Sequence, residues 1–360
     1  MKNDSNPAAR GGLAARREGV DADGVTAGGL AADGGTPGTG GLTDWQRTAR
    51  AFAAAVESGR LDLPLPGSGA TWERWAALAD LAGEDLSLAR LGEGHADAVA
   101  ILAELGGPRP PAGSRWGVWA ANPPGPNVTA SRRDGEWLLR GTKQYCSGAR
   151  VCTHALVTAV AEEGGPRLFA VDVAQLEPRD GSWPATGMAG SDTLDVFFPW
   201  VHAEPVGPRD GYTNRPGFSH GGCGVAACWY GGARAVAQTL VAAASKRDVG
   251  PHALAHLGAV DLGLRTARAA LVRAAGEIDA DPGDLRGTGA ARALRVRALT
   301  EAVAADVLTR TGRALGAGPL GHDRAHSRAV ADLTVYLRQH HAERDLARLG
   351  ELVAEGGAEW

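Results

Sequence analysis

From Thr71 the apolar positions recur at three-residue steps, as Trp72, Trp75, Leu78 and Leu81. A second run from Leu86 to Leu105 carries Leu88, Leu91, Ala98, Ile101, Leu102 and Leu105. That period is the stripe of an amphipathic helix, so packed helices are expected here. Another helix is expected to open at Thr43-Asp44, an N-cap pair followed by Trp45. Residues 61–69 read as a Pro/Gly loop, and residues 106–113 (GGPRPPAG) are a hard break. Beyond the break the period becomes alternation. Strand-like pieces lie at 116–120, 127–133, 136–140, 154–160, 167–173 and 194–202, with turns at 122–125, Asp134-Gly135, Gly164-Gly165 and Asp180-Gly181. Short strands at that spacing predict a compact antiparallel barrel or sandwich. The helical period returns from Gly217, in Ala-rich runs near 221–246, 252–278, 287–316 and 325–353 with short connections. Such runs predict an antiparallel four-helix bundle.

The expected fold is therefore multi-domain α+β. It comprises an N-terminal helical domain over 43–113, a central β-domain over 114–216 and a C-terminal bundle over 217–360. Residues 1–42 are Gly, Ala, Asp and Arg with almost no large apolar side chain. They cannot bury enough surface to offset the entropy of ordering, and a disordered tail is expected.

Composition narrows the partners. The 360 residues carry a formal net charge of −4 with both signs interspersed, and no basic stripe suggests nucleic acid. No run approaches the roughly 20 apolar residues of a membrane span, and no signal-type apolar core opens the chain. Cys146, Cys152, Cys223 and Cys228 form no CxxC pair. Reduced thiols and a cytoplasmic location are expected.

Three stretches carry candidate chemistry. Gly222-Cys223-Gly224-Val225-Ala226-Ala227 matches the dinucleotide pattern G-x-G-x-x-A, but a Pro/Gly loop rather than a strand precedes it. Close helix packing is the better reading. On the last helical run, His341 and Asp345 are four apart, as are Tyr336 and His340. A carboxylate so placed can orient an imidazole and raise its basicity, an arrangement suited to general-base chemistry. Residues 137–149 (WLLRGTKQYCSGA) alternate, then end in Tyr145, Cys146, Ser147 and two small residues. An aromatic, a hydroxyl and small residues at a strand end suit a wall for a flat ring.

Taken in order, the motifs resemble the acyl-CoA dehydrogenase family of flavoproteins over roughly residues 71–350. Trp119-Ala120-Ala121-Asn122-Pro123 is similar to that family's first flavin-contacting strand, and Lys143-Gln144-Tyr145-Cys146-Ser147 to its second. Gly187-Met188-Ala189-Gly190-Ser191-Asp192-Thr193 is similar to its G-M-R-G-S-D-T strand. The resemblance implies FAD between barrel and bundle, with Ala121, Asn122, Tyr145, Cys146 and Ser147 at the flavin ring. It also implies that Lys246 or Arg247 reaches the pyrophosphate. Ala317 and Gly318 would lie in a loop near a neighbouring subunit's flavin, in a homodimer or homotetramer.

The departures bear on the reaction. His340 falls where the family's dehydrogenases carry a catalytic Glu, with His341 next to it and Asp345 as an orienting carboxylate. The other base position known in the family reads Ser219-His220-Gly221-Gly222, without an acid. Three functions remain open. The first is an FAD-dependent dehydrogenase of acyl thioesters, passing electrons to a separate acceptor. The second is a flavin monooxygenase fed by a reductase, and the third a family member that binds without catalysing.

Overall fold

The computed structural model describes residues 42–125, 127–162 and 164–356. The tail expected over 1–42 lies, Leu42 apart, outside the described residues. From Leu42 onward the chain forms one compact unit.

Three helices lead: α1 (Asp44–Glu57), α2 (Thr71–Glu84) and α3 (Leu86–Leu105). Helix α1 starts at the expected pair because Thr43 accepts from the Gln46 amide while the Gln46 side chain returns to the Thr43 N–H. Asp85 caps α3 through the Leu88 amide, and Gly106 ends it at φ 68°, a conformation without a Cβ clash for glycine. Ala98, Ile101 and Leu102 of α3 pack against Trp116, Leu156 and Leu168 on the outside of the sheet that follows.

The strands are β1 (Trp116–Trp119), β2 (Val128–Arg133), β3 (Glu136–Cys146), β4 (His154–Ala161), β5 (Pro166–Asp172), β6 (Glu177–Arg179) and β7 (Leu194–Val206). They pair in the order β1-β4-β2-β3-β7-β5, and β5 returns to β4, so the sheet closes into a barrel. Alternation sorts the side chains. Ala155, Val157 and Ala159 of β4 join the main core, whereas Leu156 faces α3. The expectation of an antiparallel sheet needs correction, because β1 and β2 both run parallel to β4. A period of two reports which face a residue takes and is the same for either strand direction.

The remainder is helical: α4 (Gly211–Asn214), α5 (Pro216–Lys246), α6 (Gly250–Ala280), α7 (Gly289–Leu315), α8 (Gly318–His322), α9 (Arg324–Tyr336) and α10 (Glu343–Gly356). The fourth bundle run is not one helix. It stops at Tyr336, passes through a 3-10 turn at Leu337–Gln339 and resumes at Glu343. Residues 338–345 (RQHHAERD) offer no apolar stripe to carry a helix across. Arg297 of α7 takes the freed Gln339 carbonyl at 2.8 Å, and Ala342 turns the chain at φ 49°. The Gly222–Ala227 fingerprint lies inside α5, so it forms no phosphate-binding turn.

Trp75, Trp119 and Trp229 are fully buried where the leading helices, barrel and bundle meet in a single core. Each withdraws on the order of 200 Å² from water, worth roughly 5 kcal/mol before ordering costs. Glycine in α5 allows the closest approach to α2: a Cβ on Gly231 would stand 2.0 Å from the Ala79 carbonyl oxygen. Gly276 of α6 is the opposite case, with nothing within 4 Å of an added Cβ. Gly276→Ala is expected to stabilise the protein by about 0.5–1 kcal/mol through helix propensity, read as a rise in the thermal midpoint.

Candidate active site

The aromatic strand end is built by a bulge. Pairing of β3 with β7 slips between Lys143 and Cys146, and Tyr145 takes φ 61°. The slip turns the Tyr145 ring outward, 51% exposed, edge-on to Trp183, while Cys146 and Ser147 turn inward. A left-handed tyrosine costs about 1–3 kcal/mol and persists only when its surroundings impose it.

The imposing contacts come from residues 187–193. The Ser147 and Thr193 hydroxyls meet at 2.9 Å, the Gly148 amide donates to the Ser191 carbonyl, and the Ala149 amide donates to that of Asp192. The Asp192 carboxylate, 4% exposed, accepts from the Arg150 amide and guanidinium. The segment is itself gripped by helices. The Asp332 carboxylate of α9 accepts from the Met188 amide, and a Cβ on Gly187 would stand 2.3 Å from the Ala331 carbonyl oxygen. A Cβ on Gly190 would reach Thr48 of α1 at 2.6 Å. This motif therefore ties α1, α3 and α9 to the turn behind Tyr145.

A second cluster forms at the break between α9 and α10. His340 is 7% exposed, with its ring edge-on to Trp229 and the Arg297 guanidinium over the same Trp229 ring at 4.7 Å. The Ala342 amide donates to His340 Nδ1 at 3.2 Å. Nδ1 therefore holds the ring's lone pair, and the proton of the neutral ring sits on Nε2. Burial lowers the His340 pKa; Asp345 and Glu301 pull upward, Arg297 and His341 downward. Among the described residues, His340 Nε2 and Trp229 Nε1 are buried with no hydrogen-bond partner. The nearby Tyr336 hydroxyl is likewise buried without a hydrogen-bond partner among the described residues.

Asp345 sits against His341, its partner at four-residue spacing, and not against His340. Its carboxylate accepts from the His341 amide at 3.0 Å and lies 3.3 Å from His341 Nδ1, but stands 3.9 Å from His340 Nε2, too far for a hydrogen bond. Burial alone would raise the Asp345 pKa, yet the His341 amide and the two imidazoles outweigh it and hold the carboxyl low. His341 itself is largely exposed. The Ala342 amide, not a carboxylate, fixes the buried imidazole.

One polar group was not singled out by sequence. Arg90, Glu93 and Asp97 follow one another at three and four residues along α3 and share a face. Arg90 donates to Glu93 at 2.6 Å, and Arg74 of α2 donates to Asp97 at 2.8 Å. Burial, with Asp97 adding to it, raises the Glu93 pKa to about 8 against the pull of Arg90. Glu93 bears electrostatically on both Cys228 and Tyr336, so α3 faces the His340 side of the site. The signal lay in charged residues at helical spacing on an otherwise apolar stretch.

Next to this stripe, His95 accepts the Trp116 amide through Nδ1. Burial drives its pKa to about 4, with Asp62 pulling upward and Arg74 downward. The unfolded chain takes that proton near pH 6.5, so His95 leaves stability intact above about 6.5 and costs about 3 kcal/mol as the pH falls to about 4. Denaturation midpoints over that range are expected to fall more steeply for the parent than for His95→Gln.

Of the remaining flavin candidates, two stand near β3, where the Trp119 indole donates to the Ser147 carbonyl and Lys143 donates to Asn127. Ala121 and Asn122 follow β1, and the Asn122 side chain accepts from Asn127. Lys246 and Arg247 end α5, and Ala317 and Gly318 join α7 to α8; all four are exposed. No helix of the described residues is long and apolar enough to cross a membrane.

No protein-family model matches this sequence. No curated protein matches it either. Solved structures do. KijD3, in complex with FMN and dTDP-3-amino-2,3,6-trideoxy-4-keto-3-methyl-D-glucose, is 20% identical with a TM-score of 0.71, over 88% of this chain and 92% of that one. The fold is acyl-CoA dehydrogenase-like. TdsC from Paenibacillus sp. A11-2, bound to FMN and indole, is 17% identical with a TM-score of 0.67, over 85% of this chain and 95% of that one. The methanesulfinate monooxygenase MsuC from Pseudomonas fluorescens is 18% identical with a TM-score of 0.68, covering 89% and 98%.

Proposed function

We propose that this chain is a flavin-dependent monooxygenase, working on a small organic molecule with reduced FMN supplied by a partner reductase. The observation that carries the reading is the hydrogen bond from the Ala342 amide to His340 Nδ1. With Nδ1 occupied by the Ala342 amide, the free nitrogen is a donor. Abstraction of an α-proton from a thioester needs a lone pair at that position, and a buried neutral ring of this tautomer presents none. A donor is suited instead to holding a proton near an oxygen atom.

The residues present fit a flavin. The outward Tyr145 ring would hold its ring system on the barrel side, with Ser147 bracing it from behind through Thr193. The buried, unpartnered Trp229 Nε1 and His340 Nε2 would take acceptor atoms of flavin or substrate on the bundle side. Reduced flavin bound there would supply the electrons that activate oxygen. His340 keeps a proton at Nε2, and the Arg297 cation beside it resists a second proton on the ring. Packing of Trp229 and Tyr336 excludes water from this side.

FMN rather than FAD is supported by the FMN found in KijD3 and TdsC. A dimer or tetramer is part of the reading, because the exposed Lys246, Arg247, Ala317 and Gly318 would serve a flavin phosphate on a neighbouring subunit. Anaerobic mixing of FMN-loaded protein with a panel of acyl-CoA thioesters is expected to leave the flavin absorbance unchanged. Bleaching by any of them would restore the dehydrogenase reading.

A further inference from the structure

The β3–β7 ladder is irregular at two places, and each presents an exposed aromatic residue at positive φ. One carries Tyr145. At the other, Leu139 pairs with Val201 and Arg140 with Pro199, so Trp200 is the extra residue of a bulge. It takes φ 68° and is 36% exposed. Left-handed backbone is unfavourable for a bulky residue, and bulges that re-aim a side chain gather at functional sites.

Two arginines converge on the Trp200 ring. The Arg133 guanidinium stands 4.3 Å from the ring centre and that of Arg140 5.1 Å. Both residues are exposed, and among the described residues neither guanidinium makes a hydrogen bond or an ion pair. Even Glu136, the register partner of Arg133, does not pair with it. Other arginines set over a ring differ: Arg179 over Phe197 also pairs with Glu177, and Arg234 over Tyr230 also pairs with Asp80. Two like charges are therefore held at one indole without a carboxylate, and an anion brought there would relieve their repulsion.

We propose that this bulge is a docking surface for an acidic segment of a partner protein, whose neighbouring carboxylates meet Arg133 and Arg140 beside the Trp200 ring. Each guanidinium offers five N–H donors in a fork that fits a carboxylate. The group stands on the outside of the closed barrel, whereas small ligands are held in concavities. Tryptophan and arginine are also the residues on which protein interfaces concentrate their binding energy. The net charge of −4 opposes the long-range field of nucleic acid or an anionic membrane. A short acidic segment instead feels the local cations, within a screening length of about 10 Å. A partner seated here stands on the strand pair that carries Tyr145, the candidate flavin wall.

The test uses the full-length protein and follows the fluorescence anisotropy of a fluorescein-labelled hexaglutamate peptide. Binding is expected at low ionic strength and should weaken as salt rises. Arg133→Gln combined with Arg140→Gln should weaken it at least about tenfold, the value of one lost charge-assisted hydrogen bond. Arg133→Lys combined with Arg140→Lys keeps both charges without the fork and should fall between the parent and the glutamine pair. Arg265→Gln combined with Arg273→Gln removes the same charge from the exposed side of α6 and should change binding less than about twofold. No binding to the parent, or equal loss in the two glutamine pairs, overturns the proposal. Displacement of the peptide by equimolar pyrophosphate would make this a site for small phosphates. A dimer lost in the Arg133→Gln, Arg140→Gln protein would make it a contact between copies. Either result overturns the proposal as well.

Discussion

His340→Ala is expected to lower the yield of oxygenated product per flavin oxidised by 10²–10³-fold, a factor of about the size that a positioned proton donor contributes. Flavin oxidation itself should continue. The direction follows from burial and tautomer together. His340 Nε2 is buried and unpartnered, while Nδ1 is held by the Ala342 amide, so alanine removes the one imidazole donor on that side. His340→Asn, which keeps an N–H, should recover part of the yield. His341→Ala is the control. That ring is mostly in solvent and bonds to Asp345, so its loss should change the yield less than about threefold. The readout is product formed against oxygen consumed; a yield unchanged in His340→Ala would remove this residue from the chemistry.

Gly187→Ala is expected to destabilise the protein by about 2–3 kcal/mol and to weaken flavin binding at the same time. The new Cβ would stand 2.3 Å from the Ala331 carbonyl oxygen and 2.6 Å from Val335. One of these contacts is backbone in α9, so α9 or the 187–193 segment must move, and overpacking of this kind costs about 1–3 kcal/mol. Movement of the segment breaks the Met188–Asp332 contact first, then the Thr193–Ser147 bond that helps hold Tyr145 at its left-handed φ. Chemical denaturation measures the first effect and flavin fluorescence titration the second. Lost stability with full flavin affinity would show that the brace does not reach Tyr145.

Much of this was legible along the chain, for physical reasons. Thr43 marks a helix start because the cap hydrogen bond is local, and Asp134-Gly135 marks a hairpin because both residues take positive φ there. Apolar period distinguished helix from strand throughout. Strand direction was not legible, since alternation is blind to it, and β4 came to lie parallel to both β1 and β2. The break after Tyr336 could have been read from RQHHAERD, which lacks an apolar stripe. Spacing brought His341 and Asp345 together as expected, but it could not show that His340 alone is buried or that the Ala342 amide settles its proton. Glu93 escaped notice because a carboxylate on a helix is ordinarily solvated, and only burial in the folded protein makes this one unusual.

The most direct measurement mixes oxygen with anaerobic protein carrying reduced FMN and follows recovery of the oxidised-flavin absorbance. A monooxygenase site is expected to recover in a fast phase followed by a slow one, with the slow phase lost in His340→Ala and retained in His341→Ala. Recovery in one phase at the rate of free reduced FMN, unaffected by either substitution, would contradict the proposed function.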